Sequence, residues 1–116
     1  MEQVKIILLE DILGESGLRP VARSGAALLF DLSTSERLLR LCESVGVGIL
    51  GIEGFTLSEN DLVPDMDFIA DFSALLTHDS FETESISMAR KFLAMATQPS
   101  DLLFEYVLAR RSCIAG

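Results

Sequence analysis

Residues 47–57 most restrict the fold, because Ile, Leu, Val and Phe dominate this run and glycines interrupt it. Such side chains favour a strand, and Gly48, Gly51 and Gly54 would weaken any helix. A GxGxxG pattern also occurs at residues 46–51, but a dinucleotide-binding loop needs its glycines between a strand and a helix. The run therefore predicts an apolar strand that other elements must cover.

Two segments have the spacing of amphipathic helices. In residues 33–45 a stripe of apolar side chains follows Ser33 and Glu36, which have the spacing of a capping box, and Gly46 can end the helix. Residues 84–96 show the same period, and four of their apolar side chains are expected to face inward: Ile86, Ala89, Leu93 and Ala96.

The N-terminal third is less determined. Residues 2–13 have apolar side chains at helical spacing and Gly14 can follow as a terminator, so we predict a helix, with a buried strand at residues 5–9 as the alternative. Residues 14–25 predict a loop, because Gly17 and Pro20 break regular structure. The short apolar run that follows has no assignable period.

The central segment also admits two interpretations. A turn is expected at residues 59–61, and Pro64 can occupy the first turn of a helix. Apolar side chains then follow helical spacing as far as Leu76, so we predict a helix here. A strand over residues 68–75 is the alternative.

Residues 101–109 predict a final strand, with Phe104, Tyr106 and Leu108 on one face. Helices and strands in this order, within 116 residues, predict one domain spanning residues 1–116. The expected fold class is α+β (or α/β), a single layered domain with helices packed on a small mixed sheet.

Charge is distributed unevenly along the chain. There are 18 acidic and 9 basic side chains, a formal net charge of −9, and residues 41–89 contain ten acids and no Lys or Arg. This surplus argues against a nucleic-acid partner and against a membrane surface, since both attract basic proteins. The acids form either a solvated face that maintains solubility or a surface that steers a basic partner. Cation binding is a third interpretation.

Nine acids of this segment are our candidate partner-binding residues: Glu53, Glu59, Asp61, Asp65, Asp67, Asp71, Asp79, Glu82 and Glu84. Apolar neighbours would supply the buried anchors on which most interface energy depends, with Phe55, Leu62 and Phe81 as candidates. On a regular strand Glu53 would share a face with apolar side chains. Either a bulge at Gly51 or Gly54 turns it outward, or it is a functional carboxylate aimed at a partner's Arg or Lys.

The residues that could carry chemistry are few. His78 is the single histidine and no nucleophile motif accompanies it, so we predict an exposed loop histidine and no catalytic residue. On a helix Asp67 and Asp71 would share a face and, with Asp65, could offer oxygen ligands, but a calcium-loop spacing is lacking.

The cysteines give no sign of a cofactor. Cys42 and Cys113 lie too far apart for a zinc or redox motif, and we expect neither a metal nor a cofactor. The N-terminus has no signal-peptide pattern and no apolar run is long enough to span a bilayer, so a cytoplasmic protein is expected.

Two short segments carry a resemblance to a known class of proteins. Ile49-Leu50-Gly51-Ile52-Glu53-Gly54-Phe55 follows an amphipathic helix, and Phe104-Glu105-Tyr106-Val107-Leu108 lies near the C-terminus. The chain resembles small cytoplasmic immunity proteins of bacterial polymorphic-toxin and contact-dependent growth inhibition systems, over residues 25–109 in layout. The resemblance implies a stoichiometric inhibitor of one cognate toxin domain, often a nuclease, with Glu53 as a contact. A homo-oligomeric structural or regulatory module is the main alternative, followed by a divalent-cation-binding domain or a small enzyme. The sequence leaves the oligomeric state open.

Overall fold

The computed structural model describes residues 2–14, 16–96 and 102–113. Its elements follow in chain order: β1 (Glu2–Ile7), α1 (Leu9–Leu13), β2 (Ala22–Ser24), β3 (Ala27–Leu29), α2 (Leu32–Val45), β4 (Gly48–Ser58), β5 (Asp61–Asp71), a 3₁₀ helix (Ser73–Thr77), α3 (Phe81–Ala94) and β6 (Leu102–Cys113).

The main sheet has the strand order β1-β6-β4-β5, and each of these pairings is antiparallel. The strands β2 and β3 form a separate antiparallel pair, and Phe30 at the end of β3 exchanges two backbone hydrogen bonds with Phe104 of β6. The predicted α+β class is confirmed. The α/β alternative would require parallel neighbours, which the described strands do not form.

The core lies on one face of the main sheet, where α1, α2 and α3 cover it. Phe104, Tyr106 and Leu108 of β6 are buried there, as the alternation predicted. The ring of Phe92 in α3 packs edge-to-face against both Phe104 and Phe68, at centroid distances of 6.4 and 6.1 Å. The backbone N–H of Ile49 donates to the buried hydroxyl of Ser85, at 2.9 Å, which ties β4 to α3.

Helix α2 begins at a different cap from the one predicted. The Asp31 carboxylate accepts a hydrogen bond from the Thr34 N–H at 2.8 Å, and the Thr34 hydroxyl accepts from the Asp31 N–H at 3.0 Å. The capping box is therefore Asp31 and Thr34, not Ser33 and Glu36, because the chain is still extended at Asp31 where it leaves β3. The predicted end is confirmed, since Gly46 adopts a left-handed conformation with φ 74°.

The helix predicted over residues 2–13 is wrong for its first half. Residues Glu2–Ile7 form a strand, and only Leu9–Leu13 are helical. The strand forms because the edge of β6 that faces away from β4 offers backbone partners over residues 108–113. The loop predicted over residues 14–25 is also interrupted, since its last residues form β2.

The helix predicted over residues 64–76 is wrong as well. Strand β5 occupies this segment as far as Asp71, and a 3₁₀ helix follows. Pairing with β4 overrides the helical spacing, and Pro64 is tolerated because β5 lies at the edge of the sheet. Helix α3 is confirmed, although it begins at Phe81 rather than at residue 84.

Candidate functional site

A bulge in β4 determines where Glu53 points. Ile49 pairs with Leu108 and Gly51 with Val107, so β4 contains one extra residue between these pairs. The buried positions change phase there, from Val47 and Ile49 to Ile52 and Gly54. Glu53 consequently lies on the side of the sheet opposite to the helices, as the bulge interpretation predicted.

One of the two cross-strand neighbours of Glu53 is a second carboxylate, and the other is Ile69. Glu53 lies directly opposite Glu105 in the pairing of β4 with β6. Directly opposed side chains on neighbouring strands have Cβ atoms about 5 Å apart, and like charges there are destabilising. Partial burial raises the pKa of Glu105, and repulsion from Glu53 raises it further.

Glu105 was not among the predicted partner-binding residues, because it lies outside the acid-rich residues 41–89. One signal was present: Glu105 stands between Phe104 and Tyr106 of a strand whose buried face was predicted correctly. The alternation places Glu105 on the other face. Which strand lies beside it there depends on the sheet topology alone.

Apolar side chains surround this carboxylate pair. We define the open face of the sheet as the side away from the helices, where the exposed fractions are 46% for Val107, 44% for Ile69, 51% for Ile6 and 51% for Leu57. Phe55 and Leu103 lie next to the pair and are half-buried. The register brings these residues to one side together: Ile6, Leu103, Glu105, Val107, Glu53, Phe55, Leu57 and Ile69.

The second candidate surface is the acidic hairpin, which we define as β4, β5 and the turn between them, residues 48–71. Its turn consists of Glu59 and Asn60, both with positive φ (49° and 75°), which suits a tight two-residue hairpin. The hairpin contains six acids and no Lys, Arg or His: Glu53, Glu59, Asp61, Asp65, Asp67 and Asp71.

An irregularity in β5 contains two of these acids, Asp65 and Asp67. Phe55 pairs with Pro64 whereas Glu53 pairs with Ile69, so residues 65–68 bulge out of the ladder. The Asp65 carboxylate accepts a hydrogen bond from the Asp67 N–H at 3.0 Å, which shapes the bulge.

The same irregularity requires Gly54. The bulge turns Phe68 inward, and a Cβ atom at Gly54 would lie only 2.7 Å from the Phe68 Cβ. Of the two acids in the bulge, Asp67 is exposed and Asp65 is half-buried.

Asp71 ends the hairpin and has a local role. Its carboxylate accepts a hydrogen bond from the Ser73 N–H at 2.9 Å, and this bond lowers the pKa of Asp71. Asp65, Asp67 and Asp71 therefore do not share a helical face. Within the described ranges, no three His, Cys, Asp or Glu side chains are grouped so that they could hold a metal ion.

The remaining candidate acids lie at or just before the start of α3, and the carboxylates of Glu82 and Glu84 have basic partners within the chain. The Glu84 carboxylate is 2.7 Å from the His78 Nδ1, and the Glu82 carboxylate is 3.7 Å from the Arg111 Nε. The backbone carbonyl of Asp79 accepts a hydrogen bond from Arg111. The structure therefore separates the nine acids into Glu53 and Asp71 on the open face, four on the rest of the hairpin and three beside α3.

One proposed anchor is wrong. Phe81 is fully buried under β4 and cannot contact a partner, whereas Phe55 and Leu62 remain partly exposed. Burial also raises the pKa of the Cys42 thiol to about 12, so this cysteine behaves as an inert core residue. The side chain of Cys113 lies outside the described residues.

None of the helices in the described part of the chain is long and apolar enough to cross a membrane. No protein-family model matches the chain, and comparisons with curated proteins and with solved structures give no match. The fold and its two candidate surfaces therefore define an α+β protein with an acidic hairpin and a sheet face that its helices do not cover.

Proposed function

We propose that this chain is a cytoplasmic immunity-type protein, which binds and neutralises a basic toxin domain and catalyses no reaction. The acidic hairpin carries the proposal. It presents six carboxylates with no basic residue of its own. None of the ion pairs in the described part of the chain includes these acids, since those pairs involve Glu36, Glu43, Glu82 and Glu84.

Acids without ion-pair partners on one surface destabilise the free protein, but they can stabilise a complex with a basic partner. Close like charges destabilise a fold by tenths of a kcal/mol each. A basic partner turns that repulsion into attraction and is steered towards the surface from a distance. A toxin that acts on nucleic acid has such a basic surface, because it must neutralise phosphates.

The test starts from the reading frame next to this one. Its C-terminal domain is expressed together with this chain, and the mixture is analysed by size-exclusion chromatography and by a toxicity assay. We expect an equimolar complex in which the toxin is inactive. A neighbouring domain that does not bind, or the absence of a toxin-like neighbour, would overturn the proposal.

Charge reversal then tests the role of the hairpin in that complex. Asp61→Lys combined with Asp65→Lys should slow association by roughly tenfold at low salt and flatten its salt dependence. The control is Glu10→Lys with Asp11→Lys, an equal change of charge on the exposed side of α1. Stopped-flow association rates that are equal for both variants would contradict a steering role of the hairpin.

A further inference from the structure

The open face combines two features that are unfavourable in the free protein. Val107, Ile69 and Leu57 expose apolar surface to water, and contiguous apolar patches on soluble proteins mark sites of interaction. In their midst Glu53 and Glu105 oppose each other across the β4–β6 pairing. A cation placed between the two carboxylates would relieve their repulsion, and apolar neighbours of that cation would cover the exposed surface.

A second copy of the chain does not fit this face. Two copies stacked over the pair would bring four carboxylates together and remove them from water. Burying charges without counter-charges is strongly unfavourable, so the centre of such a dimer would oppose its own formation. The occupant that complements the face carries a positive charge at its centre and apolar groups around it.

We propose that the open face is a docking surface for a protein segment with one arginine flanked by apolar side chains, its guanidinium seated between Glu53 and Glu105. This inference rests on the proposed function in one respect: the segment belongs to the basic toxin domain. It adds a second contact to the acidic hairpin. The hairpin would attract the partner, and the open face would hold it.

Arginine fits better than lysine for a geometric reason. The guanidinium is planar and presents five N–H donors along two edges, so one group can bond to two carboxylates at once. Its flat faces are weakly hydrated and can rest on apolar neighbours such as Phe55 and Leu103. A lysine ammonium offers a compact, strongly hydrated charge instead.

A short peptide tests the surface without the toxin. The probe is acetyl-Val-Arg-Val-amide, titrated into the ¹⁵N-labelled chain at pH 7 and followed by amide chemical shifts. We expect millimolar binding with the largest shifts at residues 103–107, 53–57 and 69. Acetyl-Val-Gln-Val-amide should bind at least about tenfold more weakly, because a charge-assisted bidentate contact is lost.

Matched variants assign the effect to the carboxylate pair. Glu53→Gln with Glu105→Gln should bring the affinities of the Arg and Gln peptides close to equality. Asp65→Asn with Asp67→Asn removes the same charge from the hairpin and should preserve the tenfold difference. Val107→Thr should weaken the binding of both peptides. Val45→Thr, which changes a valine of similar exposure on α2, should not.

Three results would overturn the proposal. The first is the absence of shifts on the open face. The second is shifts centred on residues 59–67, which would mean that the peptide binds to the acidic hairpin through its charge alone. The third is a dimer in sedimentation velocity that uses the open face. If the peptide binds as expected but the neighbouring frame's domain does not, the docking surface stands and the proposed function fails. If that domain binds while the peptide does not, the failure is confined to the docking surface.

Discussion

At the scale of single residues, the carboxylate pair is the least expected arrangement in the molecule. Glu53 and Glu105 oppose each other on neighbouring strands although a neutral residue at either position would avoid the repulsion. Partial burial raises the pKa of Glu105 in the free protein, and repulsion from Glu53 adds to this shift. Asp71 lies across from Gly51 on the same face and adds a third carboxylate nearby.

The repulsion between Glu53 and Glu105 predicts a pH-dependent gain in stability for Glu53→Gln. Because the folded state raises the pKa of Glu105, it binds that proton more tightly than the unfolded chain, and ionisation of Glu105 costs stability above the raised pKa. We expect Glu53→Gln to increase the free energy of unfolding by about 0.5 kcal/mol at pH 7. The gain should vanish as the pH falls through the carboxylate range.

Urea unfolding at pH 7 and below pH 4 measures both parts of this prediction. Glu59→Gln in the exposed hairpin turn serves as the control, since it removes the same charge without a directly opposed carboxylate. A Glu53→Gln gain no larger than that of the control would show that the pair carries no special repulsion.

At the scale of elements, the predicted N-cap of α2 lies two residues beyond the one in the structure. The spacing predicted the N-cap at Ser33, whereas the N-cap in the structure is Asp31, and both residues precede the same apolar stripe. The choice between them depends on where the preceding chain stops being extended. Phe30 is held by its backbone bonds to Phe104, so the turn into the helix occurs at Asp31.

The cap assignment predicts different effects for two neighbouring substitutions. Asp31→Ala removes the side chain that accepts from the Thr34 N–H and should destabilise the protein by about 1 kcal/mol. Ser33→Ala, on the exposed side of the first turn, should change stability by less than about 0.5 kcal/mol. Urea titrations with unchanged slopes measure both values, and the reverse order of effects would restore the cap at Ser33.

At the scale of the whole molecule, the uneven charge dominates. The molecule measures 53 × 29 × 21 Å, and its formal charge of −9 arises largely from the acid-rich residues 41–89. The side of α2 and α3 carries compensating pairs, in which Arg90 contacts Glu36 and Glu43. Repulsion is therefore concentrated on the hairpin rather than spread over the surface.

Salt should consequently stabilise the free protein. Raising NaCl from about 20 to about 200 mM shortens the Debye length to under about 10 Å and screens the hairpin acids. We expect the melting temperature to rise. The variant with Asp61→Asn, Asp65→Asn and Asp67→Asn should show a smaller rise. A melting temperature that falls with salt in both proteins would mean that the Arg90 ion pairs outweigh the repulsion.

The sequence predicted those elements whose side-chain period allows one interpretation. Helices α2 and α3 and strands β4 and β6 follow from their apolar spacing, and Gly46 marks the end of α2. Segments 2–13 and 64–76 were assigned wrongly because their spacing fits a helix and a strand alike. Their backbones form β1 and β5 because β6 and β4 offer hydrogen-bonding edges that no local window contains.

The candidate site, too, could be predicted from the sequence only where it depends on local features of the chain. The acids of the hairpin could be named from the sequence, since a stretch without Lys or Arg is visible in one dimension, and the turn at Glu59 and Asn60 follows from local residue types. The pairing of Glu53 with Glu105 could not, because it joins strands separated by a helix and depends on a one-residue bulge in β4. Composition and periodicity thus determined the α+β class and the acidic segment, which are local properties of the chain. Tertiary structure alone decided which carboxylates meet and which face of the sheet stays uncovered, because both follow from strand order and register.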